Sequence, residues 1–238
     1  MNKVKRAIIM AAGIGKRMRP ITFEVPKPLI KVNGVRMIDT VIQALHSNGI
    51  SEIYVVVGYL KEQFYCLEKE YDGLKLIINP YYNESNNISS LYVARDYISN
   101  AIILDGDQII FDESILKTDF NLSGYNAVWT EEETDEWLLQ VNKYNTIKSC
   151  SRIGGKNGWK LYSISRWTEK DGIKLKKYLE IEFKENNSRQ LYWDDVAMFK
   201  YFNDFILCVY PMDKGAVVEI DNINELIEMD ESYKRLGE

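Results

Sequence analysis

The chain contains 238 residues, of which 30 are basic and 35 are acidic, giving a formal net charge of −5. A nucleic-acid-binding protein usually has a basic surface, so this balance argues against a nucleic-acid partner. No apolar run reaches the roughly 20 residues that span a bilayer, and the N-terminal apolar stretch is too short for a signal peptide. We therefore expect no membrane insertion. The three cysteines are scattered without a CxxC pair, which favours a reducing cytoplasm over disulfides or zinc.

His46 is the only histidine in the chain, and this excludes several classes of catalysis. An HExxH zinc enzyme needs two histidines on one helix, and a Ser-His or Cys-His hydrolase needs a histidine base. Any catalysis must therefore depend on lysine, arginine, carboxylates, backbone amides or a bound metal.

Strands and helices alternate through the first half of the chain. Short apolar runs predict buried strands, and apolar residues at helical spacing predict the helices between them. The predicted strands are residues 6–10, 53–57, 74–78 and 101–104, and the predicted helices are residues 38–45, 61–70 and 89–98. This alternation is typical of βαβ units with a parallel sheet. The apolar runs are continuous, which indicates a sheet covered on both faces.

The second half of the chain has a different pattern. Strands are predicted at 125–129, 137–141, 147–151, 161–167, 205–210 and 217–220, and helices at 169–187, near 193–199 and at 224–235. No linker or repeat separates the halves, so we expect a single domain spanning residues 1–238. Residues 1–120 would bind a nucleotide, and residues 121–238 would form the pocket for the second substrate.

A glycine-containing basic loop follows the first predicted strand. Its sequence, AAGIGKRMRP at residues 11–20, exposes backbone amides and places Lys16 and Arg17 near a bound phosphate chain. Met18 replaces the third glycine of a dinucleotide-binding motif, and Arg17 stands where a Walker A loop has Ser or Thr. The alternative is an ordinary polar surface turn.

Two further features suggest phosphate and metal chemistry. Lys27 lies between two prolines, which stiffen the backbone around a residue suited to phosphate binding; the alternative is a solvated charge in a turn. Asp107 follows a predicted buried strand and Asp221 follows a later one, so both carboxylates could meet where Mg²⁺ binds. Asp221 is alternatively the N-cap of the last helix.

The loop at 11–20 together with PKPLI at 26–30 resembles the signature of the nucleotidyltransferases that activate sugar phosphates. Segments of the second half point to one branch, the bacterial CTP:phosphocholine cytidylyltransferases; the segments that carry this resemblance are residues 57–64, 86–92, 134–137, 191–194 and 219–221. The resemblance implies a three-layer α/β/α, Rossmann-like nucleotide-diphospho-sugar transferase fold with a mixed, mostly parallel sheet. It also implies CTP and phosphocholine as substrates, CDP-choline and pyrophosphate as products, and Mg²⁺ as cofactor.

The same resemblance implies a role for each matching residue. The nucleotide would be bound by Met10, Ala11, Ala12, Gly13, Gly15, Lys16, Gly58, Asn87, Ser90 and Gly106. Arg17, Lys27 and Asp107 would be catalytic, with Arg17 facing the triphosphate and Lys27 the acceptor phosphate, and Asp107 and Asp221 would bind Mg²⁺. The choline head group would be surrounded by Trp137, Tyr192, Trp193, Asp194 and Glu219.

The choline assignment has independent support in the residue types. A quaternary ammonium donates no N–H hydrogen bond, so aromatic faces and nearby negative charge hold it. An acidic run at 131–136 leads into Trp137, and Tyr192-Trp193 precedes two aspartates. The alternative for each aromatic residue is core packing, and the acidic run alone is typical of a solvated loop.

Other acceptors and one other class of function stay open at this point. The acceptor could be a sugar 1-phosphate, or an aminoalkyl phosphonate or phosphate whose primary amine would favour carboxylates over an aromatic cage. A protein of a different class, a non-catalytic nucleotide sensor, would retain the fold without the chemistry. No feature of the sequence predicts an oligomeric state.

Overall fold

The computed structural model describes residues 1–236. The strands are, in chain order, β1 (Asn2–Lys3), β2 (Arg6–Ala11), β3 (Lys31–Val32), β4 (Val35–Arg36), β5 (Glu52–Val57), β6 (Leu74–Ile78), β7 (Ala101–Asp105), β8 (Gln108–Ile110), β9 (Asp119–Phe120), β10 (Gly124–Thr130), β11 (Leu138–Val141), β12 (Ile147–Ser151), β13 (Gly158–Trp167), β14 (Cys208–Pro211) and β15 (Val217–Glu219). The α-helices are α1 (Met37–Ser47), α2 (Leu67–Glu70), α3 (Ile88–Val93), α4 (Glu169–Glu180) and α5 (Ile223–Met229). None of these helices is long and apolar enough to cross a membrane.

A nine-stranded mixed sheet runs through both halves of the chain. Its main path is β12-β11-β13-β7-β2-β5-β6, and β10 pairs with β13 and with β14. The β7-β2-β5-β6 part is parallel, as the βαβ pattern predicts. The antiparallel strand β13 joins its edge at β7, so the strands of the second half extend the sheet of the first.

Helices cover both faces of the sheet. Successive residues of a strand point to opposite sides, so the central strand β2 contributes side chains to both layers. Ala7 and Ile9 of β2 belong to an apolar cluster with helix α1. Ile8 and Met10 belong to a second cluster with α3 and α4. The three-layer, Rossmann-like fold with a mixed, mostly parallel sheet is thereby confirmed.

The structure divides several of the predicted helices. The segment predicted as helix 61–70 contains a 3₁₀ turn, Lys61–Phe64, before α2, and the helix predicted at 89–98 ends as a 3₁₀ turn, Arg95–Tyr97. The π-helical turns Ile181–Glu185 and Val196–Lys200 stand where regular helix was predicted at 181–187 and near 193–199. The closing helix ends at Met229, because Asp230 has an extended backbone.

Strand predictions were closer than helix predictions, although the two-residue strands β1, β3, β4 and β9 were not predicted and β13 begins three residues before the predicted start. The strand predicted at 205–210 begins only at Cys208, and the three-residue strand β8 was not predicted. Strand β8 pairs with β15 so that Gln108 lies opposite Glu219. This small pairing brings the segment after β15 next to the segment after β7.

Arg166 on β13 anchors the second half of the sheet to a neighbouring turn. Its side chain is buried and donates hydrogen bonds to Lys117 O at 3.1 Å, to Asn126 Oδ1 at 2.6 Å and to Ile115 O. Burial lowers the pKa of Arg166 to about 10, so the guanidinium stays charged at neutral pH. Two buried acceptors and one partly buried carbonyl therefore bind one side chain.

We predict that Arg166→Met lowers the free energy of unfolding by about 3 kcal/mol, since each buried oxygen that loses its donor costs about 1–3 kcal/mol. Urea unfolding followed by circular dichroism measures this change. Lys160→Met, on the same strand with a partly exposed side chain, is the control and should change stability by less than about 1 kcal/mol. Equal stabilities for the two variants would contradict the anchoring role.

Candidate active site

A cavity of about 560 Å³ lies where β2, β7 and β15 end. This volume is in the range of small-molecule sites, and ligands of open α/β sheets bind outside the carboxyl ends of parallel strands. The predicted site residues that line the cavity are Met10, Ala11, Ala12, Gly13, Gly15, Lys16, Arg17, Lys27, Asn87, Ser90, Asp107, Trp137, Tyr192, Asp194, Glu219 and Asp221.

The basic loop after β2 folds back over the segment that carries Lys27. Gly15 has φ +66°, and a Cβ atom there would lie 3.0 Å from Thr22 Cγ2 and 3.2 Å from Lys27 Cβ. Any larger residue would therefore combine an unfavourable backbone conformation with a close contact. The Thr22 hydroxyl donates a hydrogen bond of 2.8 Å to Gly15 O. Glycine at position 15 thus lets the loop and Lys27 face the cavity together.

Lys27 connects the two aspartates that follow β7 and β15. Its Nζ is 2.6 Å from Asp107 Oδ2 and 2.8 Å from Asp221 Oδ1, and Arg17 Nη2 is 3.0 Å from the same Asp221 oxygen. The Lys27 side chain is only 10% exposed. Three residues widely separated in the chain therefore form one charge cluster at the cavity floor.

The charges of this cluster hold each other ionised. Burial by itself would lower the pKa of Lys27, but the Asp107 and Asp221 carboxylates outweigh it and raise that pKa above its usual 10.5. Burial by itself would likewise raise the pKa of Asp221, but Lys27 and Arg17 lower it. An ammonium that stays protonated is suited to holding phosphate oxygens and unsuited to acting as a base.

Asp221 is free for this cluster because it does not cap the last helix. The N-cap of α5 is Asn222, whose side-chain oxygen accepts a 3.1 Å hydrogen bond from Glu225 N. Glu225 Oε2 in turn accepts from Asp221 N at 2.5 Å, as in a capping box. The interpretation of Asp221 as N-cap is therefore wrong by one residue, and its carboxylate points to Lys27.

The opposite end of the cavity combines aromatic rings with carboxylates. The rings of Trp137 and Tyr192 meet edge to face, with centroids 6.0 Å apart and planes at 81°. Asp194, 7% exposed, lies at the same end, and its Oδ1 has no hydrogen-bond partner in residues 1–236. Glu136 also lines this part of the cavity.

Trp193 does not belong to the cavity wall, which corrects its prediction as a head-group residue. Its side chain is 1% exposed and packs in the core, with ring centroids 6.1 Å from those of Tyr125 and Trp167. Neighbouring residues of the turn point to opposite sides, so Tyr192 faces the cavity and Trp193 faces the core. The aromatic wall therefore consists of two rings.

Three carboxylates that line the cavity have raised pKa values. Burial raises the pKa of Asp194 to about 7; the nearby Tyr125 hydroxyl opposes this rise and the charge of Asp195 adds to it. Burial also raises the pKa of Glu219 to about 7, although Gln108 donates a 2.7 Å hydrogen bond to its Oε1. Burial and the charges of Asp107 and Glu219 raise the pKa of Asp105 as well. A bound cation would favour their ionised forms.

Asn87 and Ser90 lie at the side of the cavity near the basic loop. Asn87 Oδ1 accepts a 2.9 Å hydrogen bond from Trp193 N, which links α3 to the turn that carries Tyr192. The buried side chain of Asn79 donates to the hydroxyl of Ser90 at 3.1 Å. Asn79 was not among the predicted site residues, so this supporting role was missed.

Gly58 and Gly106 were predicted to bind nucleotide, but the structure places both behind the cavity lining. A Cβ atom on Gly58 would lie 2.7 Å from Tyr82 and 3.0 Å from Ala12 O, so this glycine lets β5 support the basic loop closely. Gly106 is buried and donates its N–H to Met10 O at 3.0 Å. The lining residues not predicted are Pro28, Asp105, Glu136, Leu161 and Ser163.

Asp194→Asn should stabilise the protein in a pH-dependent way. The folded-state pKa of about 7 lies above the unfolded value near 3.9, so folding favours the protonated form and ionisation of Asp194 lowers stability as pH rises from about 4 to above 7. We predict that the stability advantage of the variant grows from near zero below pH 4, through about 1.5 kcal/mol at pH 5, to at most about 4 kcal/mol at pH 8.5.

Urea unfolding of both proteins between pH 5 and 8.5 measures this difference. Asp213→Asn, at an exposed position, is the control and should show no such trend. A stability difference for Asp194→Asn that is constant over this range would show that Asp194 is ionised throughout.

Known proteins resemble the chain over nearly its whole length. Residues 6–120 match the family model described as nucleotidyl transferase. A 2-aminoethylphosphonate cytidylyltransferase from Lancefieldella rimae is 38% identical, covering 95% of this chain and 92% of the relative. A choline-phosphate cytidylyltransferase from Streptococcus pneumoniae is 31% identical, covering 96% and 98%. The solved structure of a CTP:phosphocholine cytidylyltransferase from that organism superimposes with a TM-score of 0.89 at 30% identity, covering 95% and 98%.

These similarities include the segments that form the cavity. Two full-length relatives at 30% identity or above are cytidylyltransferases, and the parallel sheet with its basic loop and carboxylates agrees with that chemistry. The chain therefore belongs to the nucleotidyltransferase family and is one of its cytidylyltransferases.

Proposed function

We propose that the protein transfers the cytidylyl group of CTP to a small phosphonate or phosphate that carries an ammonium group, with 2-aminoethylphosphonate as the preferred acceptor. The buried carboxylate of Asp194 carries this proposal: its Oδ1 makes no close hydrogen bond among the described residues, and the neighbouring Tyr125 hydroxyl supplies no positive charge. A primary ammonium has three N–H donors and can satisfy that oxygen, whereas a quaternary ammonium has none. Because Trp193 packs in the core, the aromatic cage is incomplete, which also favours the primary amine.

The choice of a phosphonate over the corresponding phosphate ester follows the 38% identity with the aminoethylphosphonate enzyme. Phosphocholine is the second candidate, and the perpendicular rings of Trp137 and Tyr192 favour it. Two aromatic faces can stabilise a methylated ammonium by cation–π contact, and the carboxylates nearby add negative charge. A sugar 1-phosphate fits less well, because its hydroxyls would face carboxylates and rings.

We assign the two substrates to different ends of the cavity. We assign the triphosphate to the basic loop, where Lys16 and Arg17 face the cavity, and the nucleoside to the side formed by Asn87 and Ser90. The ammonium of the acceptor would lie by Asp194. The acceptor phosphonate then reaches Lys27, because two Nζ donors contact Asp107 and Asp221 and the third remains for a substrate oxygen.

The reaction on this arrangement is a direct displacement. An oxygen of the acceptor phosphonate attacks the α-phosphorus of CTP, a new P–O bond forms, and the bond to the leaving pyrophosphate breaks. The phosphonate is already ionised, so no general base is required. Lys27 orients the nucleophile and Arg17 offsets the charge of the leaving group, so that catalysis consists of positioning and electrostatic stabilisation.

Asp107 and Asp221 are the residues that would hold Mg²⁺. The donor set fits this ion, which binds one or two carboxylates together with substrate phosphates. Within residues 1–236 no three or more acidic, histidine or cysteine side chains form a complete metal cage, in agreement with a site completed by substrate. The ion supplies positive charge beside the phosphate oxygens when bound.

A panel of acceptors with CTP and Mg²⁺, read by pyrophosphate release, tests the proposal. We expect kcat/KM to be at least about tenfold higher for 2-aminoethylphosphonate than for phosphocholine, which corresponds to about 1.4 kcal/mol. Glucose 1-phosphate should give no turnover. Trp137→Leu should reduce kcat/KM for phosphocholine more than for 2-aminoethylphosphonate. Preference for phosphocholine would overturn the acceptor assignment, and no turnover with any acceptor would favour a non-catalytic nucleotide sensor.

Lys27→Met should give a folded protein whose kcat is at least about 100-fold lower, because the variant lacks the charge that orients the nucleophile. Steady-state kinetics at saturating CTP and acceptor, together with thermal unfolding, measure this. Lys31→Met, an identical change at an exposed position four residues later, should retain wild-type turnover. A Lys27→Met enzyme with near-normal kcat would exclude the proposed role of Lys27.

A further inference from the structure

Arg152 lies behind the head-group end of the cavity and contacts three of its supporting groups. It follows strand β12, and its guanidinium carbon is 3.9 Å from the ring centroid of Phe199 and 5.8 Å from that of Trp137. Its Nη2 is 2.5 Å from Asp195 Oδ1. Arg152 itself is absent from the cavity lining, so it touches the wall from outside.

The contact with Asp195 controls the turn that carries Tyr192 and Asp194. The Asp195 side chain is 4% exposed, and its Oδ2 accepts a 2.9 Å hydrogen bond from Tyr192 N. Among the described residues, Arg152 is the one cation within salt-bridge distance of Asp195. A buried carboxylate without a counter-ion is strongly unfavourable, so this pair holds the turn in place.

The contacts with Phe199 and Trp137 fix the aromatic wall. Phe199 lies in the π-helical turn Val196–Lys200, and its ring meets that of Trp137 edge to face at 5.3 Å. Trp137 in turn meets Tyr192 at 6.0 Å. A guanidinium is planar and can stack on rings while it pairs with a carboxylate, whereas a lysine ammonium cannot do both equally well.

We propose that Arg152 is a positioning residue that sets the affinity for the cationic head group of the acceptor without contacting it. It joins the Trp137 side of the pocket to the turn at 192–195, so that both sides keep the spacing that the head group requires. Its charge is balanced by Asp195, which prevents repulsion of a cationic substrate. This inference rests on the proposed function, since it concerns the acceptor end of the same site.

The test compares Arg152→Gln and Arg152→Lys with the wild type, using 2-aminoethylphosphonate as acceptor. We expect Arg152→Gln to raise the acceptor KM about tenfold and the CTP KM by less than about threefold, because the turn at 192–195 carries Tyr192 and Asp194 but reaches the nucleotide side through the single Trp193 N–Asn87 Oδ1 hydrogen bond. Arg152→Lys keeps the charge but loses the planar stack, so its acceptor KM should be intermediate.

Arg95→Gln is the matched control. Arg95 also combines an ion pair, 2.8 Å to Glu180, with a ring contact, 4.3 Å to the centroid of Tyr92, but it lies away from the cavity. Its acceptor KM should stay within about twofold of the wild type. An unchanged acceptor KM in Arg152→Gln, an equal rise in both KM values, or the same rise in Arg95→Gln would overturn the inference.

A spectroscopic measurement separates this inference from the proposed function. The near-ultraviolet circular dichroism of Trp137, assigned by difference with Trp137→Phe, should be lost in Arg152→Gln and retained in Arg95→Gln. Absence of turnover in the wild type with every acceptor would contradict the proposed function. In that case a retained Trp137 signal in Arg152→Gln would independently contradict the positioning role.

Discussion

The ammonium of Lys27 between Asp107 and Asp221 is the interaction on which the site depends. It joins a proline-flanked turn to the ends of β7 and β15, which come from distant parts of the chain. A nearly buried cation between two carboxylates is tolerable only because each charge compensates the others. The same compensation keeps Lys27 protonated and Asp221 ionised, so the cavity floor is prepared to bind phosphate groups.

The cations and the carboxylates of the cavity differ in their exposure to solvent. Lys16 and Arg17 come from an exposed loop. Asp194 and Glu219, in contrast, are desolvated, and their pKa values rise to about 7, with the charges of nearby Asp107 and Asp221 adding to the rise for Glu219. These carboxylates can take up protons in the absence of a cationic ligand and release them when one binds. The proposed acceptor, which is anionic at one end and cationic at the other, fits this arrangement.

The sequence predicted those parts of the fold that depend on continuous apolar runs. Strands β2, β5, β6 and β7 were found within one residue at each end; in β2, β5 and β7 the buried stretch is a continuous apolar run. Helix boundaries were poorer: whether the chain forms an α-helix, a 3₁₀ turn or a π-helical turn depends on tertiary contacts such as that of Asp230 with Asn33. Local periodicity contains no information about such contacts.

The site residues differ in the same way: some could be predicted from neighbouring sequence, and others depend on contacts between distant parts of the chain. Lys27 and Asp107 could be predicted from local patterns, because Lys27 lies between two prolines and Asp107 follows a buried apolar strand. Two other choices required the path of a turn to within one residue. One was whether Tyr192 or Trp193 faces the cavity, and the other was whether Asp221 or Asn222 caps the helix. Ser163 and Arg152 had no local signal, since their relation to the cavity arises only when β13 and β12 join the sheet.

The most direct test of this account is the ionisation of Lys27 in the folded protein. Carbon-13 NMR of lysine-labelled protein, with Lys27 assigned by comparison with Lys27→Met, follows the ε-carbon between pH 8 and 10.5. The ion pairs predict that Lys27 is less than half deprotonated at pH 10.5, and that Asp107→Asn shifts its titration to lower pH. A Lys27 that is half deprotonated below pH 10.5 in the wild type would contradict the central role of this cluster.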